Sequence, residues 1–133
     1  MSSTNPAQKQ WTGPGIIQTF MKLKPDSKLS QETLNKWWEE EHLPKLLDTG
    51  VIKSVWTWKA ANPEYKHQTM TIHQVPDLAA MQTSELKNVP RTSDKFEGPV
   101  DDHIELESRI YKLAQYYEAE PQSESMFSVR HYH

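Results

Sequence analysis

The sequence of 133 residues contains no cysteine, only four glycines and no long run of apolar residues. The lack of cysteine excludes disulfides, thiolate metal sites and a cysteine nucleophile, and it suits a reducing compartment. Four glycines leave little room for a glycine-rich phosphate cradle, and neither a nucleotide fingerprint nor a nucleophile elbow is present. If the protein is an enzyme, we therefore expect chemistry that needs no cofactor.

Positive charge is not concentrated anywhere in the chain. The net charge is −3, and no block of lysine and arginine with interleaved aromatics occurs, which argues against a nucleic-acid partner. The first 13 residues lack the apolar core of a secretory signal, and no run of about 18 apolar residues could span a membrane. We expect a soluble, cytoplasmic protein without a membrane partner.

The length and the hydrophobic content indicate one small domain. The hydrophobic fraction is 35%, against roughly 45–50% in typical domains. A small domain with a limited core often gains burial by pairing with a second copy, so we expect a homodimer. The polar residues 1–14 are interpreted as a flexible arm anchored by Trp11, residues 15–118 as the domain, and residues 119–133 as a polar tail.

The hydrophobic pattern predicts six elements in the order strand, helix, strand, strand, helix, strand. The strands are expected at 15–23, 51–60, 68–75 and 103–117. The helices are expected at about 30–50 and 77–89, the second with Asp77 as its N-cap. This order is that of the ferredoxin-like split βαβ arrangement. The predicted fold class is therefore α+β, with a four-stranded antiparallel sheet that carries two helices on one face.

The first helix carries most of the information about function. Ser30 suits the N-cap and Gly50 the left-handed C-cap. Pro44 removes one backbone amide and should kink the helix or force a new turn around residues 40–42. Apolar and aromatic residues at a spacing of four predict one buried stripe, made of Leu34, Trp38, His42 and Leu46.

His42 is the leading catalytic candidate. An imidazole titrates near neutrality and can move a proton to or from an enol or carboxylate. Burial beside Trp38 would lower its pKa and favour the neutral base. The alternative is a structural histidine that bonds the carbonyl freed by Pro44.

Further candidates lie on the strands. Trp56 and Trp58 could form, with Trp38, a flat aromatic wall for a ring-shaped ligand, to which Phe20 is added as a substrate-binding residue. The alternative for these rings is plain core packing. His73, which shares a strand face with Thr69 and Thr71, is either a second acid/base or a half-exposed strand residue.

Two residues of strand four complete the candidate site. Tyr111 could donate a hydrogen bond to an enolate, and Arg109 could hold a carboxylate. The alternative is an ion network with Glu105 and Glu107. His131 and His133 end the chain without a fixed carboxylate or a second histidine pair nearby, so no metal site is predicted.

The pattern Trp37-Trp38-x-x-x-His42-x-Pro44, in this order of elements, resembles the EthD-like branch of the dimeric α+β barrel superfamily. The segments KWWEEEHLPKLLDTGVIKSVWTWK and VPDLAAMQTSEL also look like small fungal proteins of that branch. The resemblance covers about residues 15–118. It implies that two copies pair their sheets into an eight-stranded barrel, and that each keeps a pocket between sheet and helices. The helix-one histidine of the family falls on His42 and its preceding aromatic on Trp38.

Members of this superfamily include polyketide cyclases, decarboxylases, lactone isomerases and cofactor-free monooxygenases. The resemblance therefore implies a cofactor-independent enzyme of secondary metabolism that acts on a polyketide-derived or aromatic enolisable small molecule, by cyclisation, decarboxylation or isomerisation. Two alternatives stay open. One is a monooxygenase that uses dioxygen and the electrons of its substrate. The other is a non-catalytic carrier of a hydrophobic metabolite, with haem binding through His42 as a weaker variant.

Overall fold

One four-stranded antiparallel sheet forms the framework of the molecule, which a computed structural model describes for residues 11–120 and, as backbone, for residues 129–132. The strands are β1 (Gly15–Leu23), β2 (Ser54–Lys59), β3 (Thr69–Val75) and β4 (Ile104–Lys112). Their order across the sheet is β2-β3-β1-β4, and every neighbouring pair is antiparallel. The predicted α+β class with a four-stranded antiparallel sheet is confirmed.

The fourth strand is shorter than the sequence predicts. β4 ends at Lys112, and the chain resumes as β5 (Tyr116–Ala119), which pairs with β6 (Val129–Tyr132) in a separate two-stranded sheet. The amide of Leu113 still donates to the carbonyl of Pro14, at 2.9 Å. Because proline has no amide to return that bond, the ladder between β1 and β4 stops there. The single strand expected over residues 103–117 is therefore wrong.

The first helix consists of three consecutive segments, which we call the main helix. They are α1 (Gln31–Trp37), a π-helical turn (Trp38–His42) and α2 (Leu43–Asp48). Ser30 caps the start, where its Oγ accepts the amide of Thr33 at 3.1 Å, and Gly50 follows the end with φ +76°. The predicted cap residues are confirmed.

The π-helical turn lies where Pro44 was expected to disturb the helix. Pro44 has no amide for the carbonyl four residues earlier, and its ring crowds that carbonyl. The chain widens by one residue, and the amide of Leu43 donates to the carbonyl of Trp38 five residues back. Such π-bulges are frequent at functional sites.

The extra residue in this turn changes which tryptophan is buried. The buried stripe was expected to include Trp38, but Trp37 is 2% exposed and Trp38 is only partly buried. Spacings of three, five and four residues separate the buried positions, which are Leu34, Trp37, His42 and Leu46. The expected regular spacing of four is therefore wrong at one position.

The second predicted helix is much reduced. Instead of a helix over residues 77–89, the structure has a 3₁₀-helix at Leu78–Gln82, followed by turns. Asp77 caps it as predicted, by accepting the amide of Ala79 at 3.0 Å. The hydroxyl of Thr83 donates to the carbonyl of Ala80 at 2.7 Å, and such local bonds compete with helix continuation. Over residues 11–120, the structure thus has one main helix rather than two.

The hydrophobic core divides into two clusters on the face of the sheet that the main helix covers, which we call the covered face. Cluster one contains Leu46 and Val75, and Ile17 packs against it. Cluster two contains Leu34 and Trp37, with Met21 packed against it. Trp11 packs against cluster one, as expected of an anchor, whereas residues 1–10 of the predicted arm lie outside the described residues.

The opposite face of the sheet, which we call the open face, carries large exposed aromatic side chains. Trp56 is 46% exposed, Trp58 55% and Tyr111 46%. By register, Trp56 lies opposite Ile72 and Tyr111 opposite Ile16. In the part of the chain that the structure describes, no helix is long and apolar enough to cross a membrane.

Candidate functional site

A band of buried polar side chains separates the two hydrophobic clusters. Within it Thr19, His42, Thr71 and His73 are each 6–7% exposed. On β1, Thr19 falls midway between a residue of cluster one and a residue of cluster two. Burying polar groups in the middle of a small core costs stability unless they are bonded or used. This band is the candidate functional site.

His42 lies at the end of the π-helical turn and is enclosed by two indoles. Its ring stacks on Trp37, with centroids 4.7 Å apart and an interplanar angle of 25°. The ring of Trp38 lies 4.9 Å away at 34°. Its Nδ1 has no hydrogen-bond partner among the described residues. The sequence also allowed a structural role, in which His42 bonds the backbone carbonyl freed by Pro44. No such bond is made by this nitrogen.

His73 lies on β3 and faces the same band. It is opposite Ile17 on one neighbouring strand and Val55 on the other. The edge-on ring of Trp38 lies 6.1 Å from its imidazole, at 79°. Its Nδ1 also lacks a partner among the described residues. The side chain of Trp38 therefore contacts both imidazoles.

The environment keeps both imidazoles neutral at pH 7. Burial lowers the pKa of His42 from 6.5 to about 4, helped by the charge of Arg91 and by His73. Burial also lowers the pKa of His73, against the opposing effect of a hydrogen bond with the backbone of Ile17. Neutral imidazoles each offer one acceptor and one donor nitrogen, so the pair can accept or relay a proton.

A row of hydroxyl groups crosses the covered face beside the imidazoles. The strand register places one hydroxyl residue on each of the four strands at the same level, in the order Thr57, Thr71, Thr19 and Ser108. The hydroxyls of Thr19 and Ser108 are 3.2 Å apart and share a hydrogen bond. The band thus combines two neutral bases with groups that donate and accept hydrogen bonds.

The loop over residues 91–102 is bonded to Glu41, the residue that precedes His42. The hydroxyl of Ser93 donates to Glu41 Oε2 at 2.9 Å, and Lys95 Nζ lies 3.0 Å from the same oxygen. The bond from Lys95 and then that from Ser93 lower the pKa of Glu41. Phe96 meets Trp37 edge-on at 5.7 Å. The loop therefore holds the π-helical turn against the sheet.

Arg91, in the same loop, carries the positive charge that acts on His42. Its guanidinium donates two hydrogen bonds to Asp101, at 2.8 Å from Nε and 2.7 Å from Nη2. The hydrogen bonding from Arg91 also lowers the pKa of the Asp101 carboxyl group. This bidentate pair fixes the guanidinium and partly balances its charge.

The structure brings together only some of the site residues that were predicted from the sequence. His42, His73 and Trp38 share the band on the covered face. Trp56 and Trp58 lie on the open face, so the expected wall with Trp38 is wrong. Strand alternation fixes this result, because Val55 and not Trp56 is the partner of His73.

The other predicted site residues, Phe20, Arg109 and Tyr111, also lie on the open face. Phe20 stacks on His67, with centroids 4.2 Å apart. Arg109 donates to Glu107 at 2.7 Å, which confirms the ion pair weighed as its alternative role. Tyr111 is opposite Ile16, away from both imidazoles of the band. These three side chains and the two exposed tryptophans therefore do not line the His42 site.

Several residues of the site escaped the sequence analysis. Thr19 and Ser108 were not singled out, although each has the alternation of a covered-face residue on its strand. Trp37 was misplaced because the π-helical turn shifts the helix phase. Arg91 lies in a polar loop, and no local sequence signal marks it.

Three cavities among the described residues are lined by other residues. The largest of these three, about 670 Å³, lies between the start of the main helix and His103. The second, about 520 Å³, lies near Leu113, and the third, about 180 Å³, beside Phe20. None of these three is lined by His42 or His73. The site is closed in this structure, with the partly exposed Trp38 as its cover.

A third histidine, His103, has partners at both ring nitrogens and so differs from His42 and His73, whose Nδ1 atoms are unbonded among the described residues. His103 Nδ1 lies 2.8 Å from the hydroxyl of Ser27, and its Nε2 lies 2.7 Å from the carbonyl of Glu97. Its role is structural. Among the described residues, no group of three or more histidine and carboxylate side chains could hold a metal ion. The side chains of His131 and His133 lie outside the described residues.

Comparison with known proteins gave no match to a family model, to a curated protein or to a solved structure. The fold and the buried band therefore have to carry the functional argument by themselves.

Proposed function

We propose that the protein is a cofactor-independent enzyme that moves a proton on an enolisable, ring-shaped small molecule, with His42 as the general base. The observation that carries the proposal is the pair of buried, unbonded Nδ1 atoms of His42 and His73. Unpaired polar atoms in a small core are costly, and such costs are concentrated at functional sites.

The electrostatics support a base at this position. With a pKa of about 4, His42 is neutral at pH 7 and ready to accept a proton. In the resting site its conjugate acid is strongly disfavoured by burial. An enolate formed next to the ring would supply the missing countercharge and raise that pKa, so base and anion stabilise each other. The protonated His42 can then return this proton at a second carbon or oxygen of the substrate, so that both imidazoles are neutral again at the end.

The indole rings of Trp37 and Trp38 beside His42 favour a planar substrate. Trp38 contacts both imidazoles and is partly exposed, so its displacement would admit a ring between the main helix and the sheet. Cyclisation, decarboxylation and isomerisation all pass through an enol or carbanion that one acid/base pair can handle. The resemblance to EthD-like proteins of secondary metabolism points to the same chemistry.

The same proposal includes a homodimer with the ferredoxin-like βαββαβ arrangement. The strand order β2-β3-β1-β4 is the one expected for that arrangement. The open face offers Trp56 and Trp58 to a second copy, and both side chains are about half exposed. Pairing two such faces would bury the rings and form the eight-stranded barrel that the resemblance implies.

The test compares metabolites from source cells that carry wild-type protein or His42→Gln, with His67→Gln as the matched control on the open face. We expect a precursor to accumulate only with His42→Gln. Its mass difference from the lost product identifies the reaction as loss of water, loss of carbon dioxide or isomerisation. An unchanged profile, with the variant folded as judged by circular dichroism, would overturn the catalytic role of His42.

A binding protein without turnover is the second candidate. Catalytic histidines are commonly oriented by a carboxylate or carbonyl bond to the second nitrogen. The Nδ1 atoms of His42 and His73 have no such partner among the described residues, and the closed site suits a sheltered ligand. A carrier would return its ligand chemically unchanged, which mass spectrometry of the bound fraction would show.

A further inference from the structure

The two central residues of the hydroxyl row, Thr19 and Thr71, are buried on the covered face next to His73, whereas Thr57 and Ser108 at the ends of the row are exposed. Thr71 lies two residues before His73 on β3, so both side chains point to the covered face. Thr19 is directly opposite Thr71, and both are 7% exposed. A molecule held against His73 would therefore meet two threonine hydroxyls on neighbouring strands.

The spacing of these hydroxyls restricts what they can bind together. Residues directly opposite on antiparallel strands have Cβ atoms roughly 4.5–5.5 Å apart. Two oxygens in a 1,3 relation on a six-membered ring have a separation within this interval. Oxygens in a 1,2 relation lie much closer, and those in a 1,4 relation lie at its upper limit or beyond. Parallel hydrogen bonds from Thr19 and Thr71 thus fit the 1,3 pattern best.

The charge of the band restricts the ligand further. Both imidazoles are neutral and the row is built from hydroxyls, so neither of these two sets of groups carries a charge that would attract an ionic ligand. A ring with hydroxyl or carbonyl oxygens can both accept from and donate to threonine. Where the two oxygens are carbonyls, the carbon between them carries acidic hydrogens, because its deprotonation gives an enolate delocalised over both oxygens, and such a carbon suits a nearby base.

We infer that Thr19 and Thr71 are specificity-determining residues that select an uncharged six-membered ring with two oxygen substituents in a 1,3 relation. The inference rests on the proposed function for the use of His42, and it names the substrate class of that site. Ser108 supports the selection, because its hydrogen bond to Thr19 restrains that hydroxyl.

The experiment measures binding of the three dihydroxybenzene isomers by calorimetry, with nitrogen-15 NMR of the histidine side chains to locate them. Wild-type protein is expected to bind the 1,3 isomer about tenfold more tightly than the 1,2 and 1,4 isomers, the worth of one additional hydrogen bond. The signals of His42 and His73 should shift on binding, while those of His67 and His103 should not.

Valine variants test the two hydroxyls directly. Thr71→Val and Thr19→Val should each lower affinity for the 1,3 isomer about tenfold and remove the preference among isomers. Thr69→Val is the matched control, because Thr69 is exposed at the end of the same strand and lies outside the row. It should leave both affinity and preference as in the wild type.

The outcomes separate this inference from the proposed function. Equal binding of the isomers, no binding of any isomer, or a preference that survives Thr71→Val would each overturn the inference, whatever the metabolite comparison shows. A 1,3 preference with shifted His42 signals supports it even if His42→Gln leaves the metabolites unchanged. In that second case the catalytic proposal fails alone and the carrier remains.

Discussion

The imidazole of His42 stacks on the indole of Trp37, five residues earlier, with ring centroids 4.7 Å apart. In a regular α-helix, residues three and four apart share a face, and residues five apart do not. The π-helical turn makes this contact, because its wider ring of bonds aligns positions five apart. A single backbone irregularity thus places the proposed base between two indoles and next to the sheet.

Stability should fall in mild acid because His42 is buried without charge. Its pKa is about 4 in the folded protein and 6.5 as a free side chain, so between these values the unfolded chain binds the extra proton. The stabilisation is complete above pH 6.5 and decreases as the pH falls to 4, by about 3 kcal/mol. Urea denaturation at pH 7, 6, 5 and 4 measures this slope.

The matched variants assign that slope to one residue. His42→Gln should flatten the profile between pH 6.5 and 4, leaving the part that comes from buried His73, whose pKa is also lowered. His67→Gln, on the open face, should keep the wild-type profile. If His42→Gln and wild type lose stability in parallel, the acid sensitivity has another origin.

The two neighbouring tryptophans of the main helix, Trp37 and Trp38, should respond differently to truncation. Trp37 is 2% exposed and lies in cluster two, so Trp37→Ala should cost about 3–5 kcal/mol of unfolding free energy. Trp38 is partly exposed, and Trp38→Ala should cost clearly less while admitting solvent to both imidazoles. Thermal unfolding ranks the two variants. A larger loss for Trp38→Ala would contradict the observed helix phase.

The sequence predicts the structural features that depend on neighbouring residues in the chain better than those that depend on distant ones. The alternation of GIIQTFMKL defines β1 within its observed bounds, and Thr71 and His73 were placed on one face of β3 because they are two residues apart. The pairing of Val55 rather than Trp56 with His73 is a matter of register between strands. Register depends on the turn and on the whole sheet, which no single strand encodes.

The helices show the same limit. Ser30, Gly50 and Asp77 were correctly assigned because capping is a local reaction of a side chain with nearby amides. The disturbance at Pro44 was also predicted. Its form was not, since a kink and a π-helical turn both relieve the missing amide, and packing against the sheet selects between them. That selection moved Trp37 into the core.

The open face provides a test of the proposed dimer. Trp58→Glu would place a charge within the proposed interface, and desolvating that charge without a partner is costly. We expect wild-type protein to sediment at twice the mass of one chain and Trp58→Glu at the mass of one. Lys59→Glu is the control, because Lys59 is the next residue on β2 and points to the other face. A monomeric wild type would remove the dimer from the proposal.

Gly15 is the position where a single methyl group should disturb the fold most. A Cβ at this residue would lie 2.5 Å from the carbonyl oxygen of Tyr111 and 2.7 Å from Leu78 Cδ1. The first of these atoms is backbone of the paired strand, so relief requires β1 and β4 to separate. We expect Gly15→Ala to cost about 3 kcal/mol of unfolding free energy, at the upper end of overpacking effects.

Gly13 offers the control for this prediction. It has φ +78°, but nothing lies within 4 Å of an added Cβ, so Gly13→Ala should cost only the strain of the left-handed backbone, about 1 kcal/mol. Urea denaturation of both variants gives the comparison. A loss for Gly15→Ala no greater than that for Gly13→Ala would mean that the contact of β1 with Tyr111 and Leu78 is looser than the structure shows. The close packing of the sheet beside cluster one would then need revision.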